Sequence, residues 1–113
     1  MSLTFEDLAA KLPAGSVEFV GNNQVKINFS QLTGDSINLQ SSCVKGVVRL
    51  MQGLAALTDQ ENEDRAAVNP PLTPIEFASQ TLQGTPQQPE YLFEVAVKVN
   101  TANFVDNLVD PTA

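Results

Sequence analysis

Cys43-Val44-Lys45-Gly46-Val47-Val48-Arg49-Leu50-Met51-Gln52-Gly53-Leu54-Ala55-Ala56-Leu57 reads as the principal helix of the chain. At 100° per residue Cys43, Val47, Leu50, Leu54 and Leu57 share one face, and Val44, Val48, Met51 and Ala55 extend it sideways. The apolar arc covers about half the circumference, whereas a helix lying on one sheet needs a stripe of roughly 100°. The excess calls for a second cover, so Val44, Val48, Met51 and Ala55 are candidate partner-contact residues. Lys45, Arg49 and Gln52 hold the polar side. Gly46 and Gly53 lie two turns apart, and each costs about 1 kcal/mol of helix propensity relative to Ala. Their presence is expected to reflect a close neighbour.

Ser41 or Ser42 is placed to cap this helix through its hydroxyl. At the other end, Thr58 with Glu61 resembles a capping box, and the carboxylates of Asp59, Glu61, Glu63 and Asp64 would oppose the dipole of a helix C-terminus. A break or bend near Thr58 is therefore expected. Asn69-Pro70-Pro71-Leu72-Thr73-Pro74 should run extended as a stiff connector.

Upstream, Phe5, Leu8, Ala9 and Leu12 recur at helical spacing behind the capping pair Thr4 and Asp7, with Pro13 and Gly15 ending the element. Val17 to Val20 and Val25 to Phe29 flank Gly21-Asn22-Asn23-Gln24, which predicts a β-hairpin. A turn at Thr33-Gly34-Asp35 and alternation over Ile37-Asn38-Leu39 extend it to a three-stranded meander. Downstream, Ile75 to Ala78 begins a strand reaching Leu82, and Gly84 to Pro89 reads as a loop. Tyr91, Phe93, Val95, Val97 and Val99 alternate with Leu92, Glu94, Ala96 and Lys98, predicting a long strand in the centre of the sheet. Asn103 to Val109 is expected to add one or two helical turns.

The whole is expected to be one α+β domain over residues 1–113. About five mostly antiparallel strands, in the order βββ-α-ββ, would pack on one long central helix, with short helices at the two ends.

Composition narrows the chemistry. With no histidine, the chain has no Ser-His-Asp triad, Cys-His pair, imidazole metal ligand or imidazole proton shuttle. Thirteen acidic against six basic side chains, a net charge of -7, disfavour nucleic acid and anionic membrane surfaces, whose affinity comes from Lys and Arg. No apolar run approaches the length of a membrane helix. Cys43 stands alone, so it forms no intrachain disulfide. Its place in the first turn suits a reactive thiolate, but its position in line with Val47 and Leu50 favours packing as a small hydrophobe. The acidic stretch at 59–64 fails as an EF-hand loop, because Asp64 stands where glycine is needed and Pro70 where a bidentate glutamate is needed. Glu6 and Asp7 interrupt what a signal peptide would keep apolar, so a cytoplasmic location is expected.

Two functions fit these residues. The first is a non-enzymatic interaction module, a homo-oligomeric accessory or assembly subunit whose partner is a second copy, as in a homodimer, or another protein, and that uses no metal or cofactor. The alternative is a small-molecule-binding domain or carboxylate-based enzyme with a cleft between sheet and helix, using Glu76, Tyr91, Glu94 and Lys98.

Overall fold

A computed structural model describes residues 3–99 and 108–112. Its elements are α1 (Phe5–Ala9), β1 (Val17–Gly21), β2 (Gln24–Ile27), α2 (Phe29–Thr33), α3 (Val44–Ala67), β3 (Ala78–Thr85), β4 (Gln88–Val95), β5 (Lys98–Val99) and β6 (Leu108–Val109). The architecture is α+β with one main long helix. The strands form three separate antiparallel pairs, β1–β2, β3–β4 and β5–β6, rather than the single five-stranded sheet expected.

The N-terminal half follows local chemistry. Thr4 Oγ1 accepts from the Asp7 amide at 3.0 Å while Asp7 Oδ2 accepts from the Thr4 amide at 3.2 Å, a complete capping box at the start of α1. The first hairpin turns on Asn22 and Asn23, both at positive φ (54° and 60°), the backbone that lets a two-residue turn follow strand twist. Phe29 leaves the strand, because Asn28 accepts from the Gln31 amide at 3.1 Å and caps α2 instead.

Ile37-Asn38-Leu39 is no third strand. Asn38 Oδ1 accepts from the Gln40 amide at 2.8 Å and the Asn38 amide donates to Ser41 Oγ at 2.9 Å. These side-chain bonds curl the backbone into a turn and leave it no ladder.

Helix α3 runs unbroken for 24 residues, through the expected break at Thr58. The Thr58 hydroxyl donates back to the Leu54 carbonyl at 2.9 Å and accepts from the Ala78 amide at 3.2 Å, so it is spent inside the helix and not on a new cap. The acidic segment is accommodated by partners one turn on: Gln60 Nε2 donates to Asp64 at 3.1 Å, and Glu61 lies 3.7 Å from Arg65. Cys43 takes the N-cap position without a side-chain bond, and Ser42 Oγ accepts from the Val44 amide at 3.2 Å.

Of the face expected to pack, Leu57 is buried and Leu50 and Leu54 are half-buried, while Val47 near the N-terminal end is exposed; Gly46 and Gly53 are buried beside it. A Cβ at Gly46 would lie 2.7 Å from the Phe29 ring, and one at Gly53 would lie 2.3 Å from Leu12 Cδ2. These are the close neighbours the glycines were expected to have, Phe29 of α2 against Gly46, and Leu12 just past α1 together with Leu8 of α1 against Gly53. Cys43, expected in the packed face, is exposed.

Beyond α3 the connector returns along the helix. Arg65 Nε donates to the Thr73 carbonyl at 2.6 Å, and the Arg65 carbonyl accepts from the Leu72 amide at 2.9 Å. Asn62 then grips Ile75 from both sides, accepting from its amide at 2.7 Å and donating to its carbonyl at 3.1 Å. Held in this way, Ile75 to Phe77 joins no ladder, and β3 starts three residues later than predicted. The expected loop at Gly84 to Pro89 tightens to a two-residue turn, Pro86-Gln87, between Thr85 and Gln88. Strand β4 ends at Val95, short of the predicted Val99, and has one neighbour, not a central place. At Leu108–Val109 the predicted terminal helix is a strand, and the rest of that prediction, Asn103 to Asn107, lies outside the described residues.

Candidate interaction surface

The register of the second hairpin sorts its side chains. Residues directly opposite in an antiparallel pair project to the same side. Ala78 faces Val95, Gln80 faces Phe93 and Leu82 faces Tyr91, giving one face that is apolar apart from Gln80. Ser79, Thr81 and Gln83 lie opposite Glu94, Leu92 and Glu90, and this face is polar apart from Leu92. Tyr91 and Phe93 hold their rings 6.3 Å apart at 45° on the apolar side.

That face is covered in part, and Val95 opposite Ala78 is itself 48% exposed. Ala78 is buried where its amide meets Thr58, and Phe93 is half-buried. Towards the tip, Leu82 is 68% and Tyr91 59% exposed. An isolated two-stranded hairpin is marginal in water unless its apolar face packs on something. This one is anchored through Ala78 and leaves Leu82, Tyr91 and Val95 exposed.

Helix α3 shows the same gradient. Of the four residues singled out from the sequence, Ala55 is buried, Met51 and Val48 are half-buried, and Val44 is 65% exposed. Val47 is exposed as well. The uncovered flank of the helix and the uncovered face of the hairpin meet across an open hollow of about 650 Å³, whose lining includes Ile37, Val44, Val48, Arg49, Gln52 and Tyr91. Lys45 at its edge pairs with Asp35 at 3.0 Å, and Arg49 donates to Gln52 at 3.0 Å.

The four cleft residues proposed from sequence do not share one hollow. Glu76 and Glu94 border a hollow beside Thr58 and Asn62, and Glu76 and Lys98 border another beside Arg65. Tyr91 lies on the opposite face of β4 from Glu94, in the hollow against α3. Among the described residues no three cysteine or acidic side chains gather as a metal site, and no helix is long and apolar enough to cross a membrane. The hairpin face was half legible: the alternation of Tyr91, Phe93 and Val95 was visible, but Leu82 joins them only once the turn is fixed at Pro86-Gln87.

Among the described residues one titratable group, Asp110, is displaced from its ordinary value. The hydroxyl and amide of Thr112 hold the Asp110 carboxyl below its usual 3.8, desolvation pulls the other way, and the amide of Leu3 at 3.3 Å adds a smaller lowering. A carboxyl depressed in the folded chain stabilises it fully above the unfolded value, and that stabilisation is lost as pH falls through the folded value. The Leu3–Asp110 link is therefore expected to persist at the ordinary carboxylate pKa and to open only in more acid solution. The Leu3 amide shift followed against pH should show this, and the step should vanish in Asp110→Asn.

Comparison with protein-family models, curated proteins and solved structures finds no match to this chain.

Proposed function

We propose that this chain is a non-enzymatic interaction module that works as a subunit of a homo-oligomer. The observation that supports it is exposed apolar surface on two elements: Val44 and Val47 on α3 are 65% and 50% exposed, and Leu82 and Tyr91 on the hairpin are 68% and 59% exposed. The apolar residues buried among the described ones are few: Leu8, Leu32, Ala55, Leu57, Ile75 and Ala78.

Sedimentation velocity at micromolar concentration should give about twice the mass of 12.1 kDa. A single species at the monomer mass across the whole concentration range ends this reading. Val48→Asp and Met51→Asp are each expected to weaken association at least tenfold, and Gln52→Asp by less than threefold. A free thiol at Cys43 is in keeping with the cytoplasm, where thiols stay reduced.

A second reading, small-molecule binding, draws support from a different place. Between α1, α3 and the later strands lies an open hollow of about 650 Å³ whose walls include Leu8, Leu54, Leu57, Phe77 and Val97. Saturable binding of an apolar dye, competed by a fatty acid, would favour it over the first.

A further inference from the structure

We propose that the hollow beside the last turn of α3 binds a small monocarboxylate with a short apolar tail, its head group held by the guanidinium of Arg65 and the ammonium of Lys98. The site lies apart from the exposed apolar surfaces described above and needs neither a second copy nor any other chain.

Its walls follow from the course of the backbone. Pro70, Pro71 and Pro74 bar the connector from continuing the helix, and the chain turns back so that the Thr73 carbonyl accepts from Arg65 Nε at 2.6 Å. Residues 73–76, residues 96–98 and Pro111 then enclose, with Arg65, an open hollow of about 560 Å³. That volume lies within the roughly 300–1,000 Å³ of small-ligand sites.

Three observations select the ligand. The first is a guanidinium that is held in place but little used. Such a group carries five N–H donors, and among the described residues the bond to Thr73 is the one hydrogen bond this side chain makes. Glu61 stands 3.7 Å away, near enough to pair by charge but beyond hydrogen-bond reach. With its side chain 19% exposed, Arg65 has little bulk water for its other donors, and an acceptor can reach them through the hollow it lines. The second is charge. In a chain of net charge -7, two of the six basic side chains line this one hollow against a single acid, Glu76. Lys11, Lys45 and Arg49 are engaged elsewhere, with Gln60, Asp35 and Gln52. The balance at the walls is positive and favours an anion. The third is shape. The planar fork of an arginine matches a carboxylate through two parallel hydrogen bonds, Glu76 repels a dianion more than a monoanion, and Pro74, Val97 and Pro111 offer apolar wall to a short hydrocarbon tail.

Titration of the isotope-labelled full chain with butyrate, followed by amide shifts, tests this. Saturation near about 1 mM is expected, with the shifts gathered at 65, 73–76 and 96–98. Butyramide has the same shape without the charge and should bind at least about tenfold more weakly. Lys98→Gln is expected to weaken butyrate about fivefold and Glu76→Gln to tighten it about threefold, while Lys26→Gln on the first hairpin changes it less than about twofold. Opposite signs at 76 and 98 are not what a general disturbance of the fold would give. Arg65→Lys keeps the charge, loses the fork and should cost about tenfold or more. Because Arg65 also fastens Thr73, the exposed Lys98 and Glu76 carry the test if that variant does not fold. Shifts that rise without saturating, an equal response to butyramide, or the same sign at 76 and 98 overturn the proposal. Inorganic phosphate binding more tightly than butyrate overturns the carboxylate assignment.

Discussion

Asn62→Leu is expected to cost about 3 kcal/mol, because it strips both hydrogen bonds from the backbone of a buried residue at once. The Asn62 amide stands in for a neighbouring strand, meeting Ile75 N–H at 2.7 Å and Ile75 C=O at 3.1 Å. Ile75 is 7% exposed, so water does not readily replace the lost partner. An unsatisfied buried backbone group costs about 1–3 kcal/mol, and leucine restores the volume without restoring either bond. The loss should appear as a lower denaturant midpoint, with the hairpin amides from Ala78 onward exchanging faster than those of α1. Thr58→Val, which orphans only the Ala78 amide, should cost about half as much. If both variants lie within 1 kcal/mol of the parent, these side chains are not what fastens the hairpin to the helix.

Gly53→Val is the second large effect, also near 3 kcal/mol, and its origin is crowding. A Cβ at this position would lie 2.3 Å from Leu12 Cδ2, 3.1 Å from Leu12 Cγ and 3.6 Å from Leu8 Cδ1. The β-branched side chain must drive α1 off the helix, and overpacking of this kind costs about 1–3 kcal/mol, occasionally more. In a domain this small the melting temperature should fall by roughly 10 °C or more. Gly53→Ala is expected to be far milder. The nearest atom is the end of a flexible leucine, which can turn aside, and alanine returns about 1 kcal/mol of helix propensity. Equal melting temperatures for the alanine and valine variants would show that α1 does not rest on this glycine.

The sequence disclosed what neighbours in the chain decide. The capping box at Thr4 and Asp7, the first hairpin, the principal helix and the need for something close to Gly46 and Gly53 all follow from residues within a turn or two of each other. What it hid depends on distant partners. The pattern of Tyr91 to Val99 says that a strand forms but not how many strands flank it, and here β4 has one neighbour where a central place was expected. Thr58 looked like a cap because Glu61 follows at the right spacing, yet Ala78, twenty residues away, claims its hydroxyl. Asn62, within the acidic run at 59–64, carries the anchor of the hairpin, and no local rule points from it to Ile75.

The candidate surface divides in the same way. The half-circumference apolar arc named Val44, Val48, Met51 and Ala55, and the fold spreads these four along a gradient from bare to buried. Periodicity counts which side chains are apolar on a helix. It does not count how far along that helix the rest of the chain reaches.

That unequal reach has a thermodynamic consequence. With six apolar side chains buried among the described residues, little of the free energy of folding is left to the solitary molecule. In the homodimer proposed above, each tenfold drop in protein concentration would remove about 1.4 kcal/mol. The abundance of the chain would then help to set the temperature at which it melts.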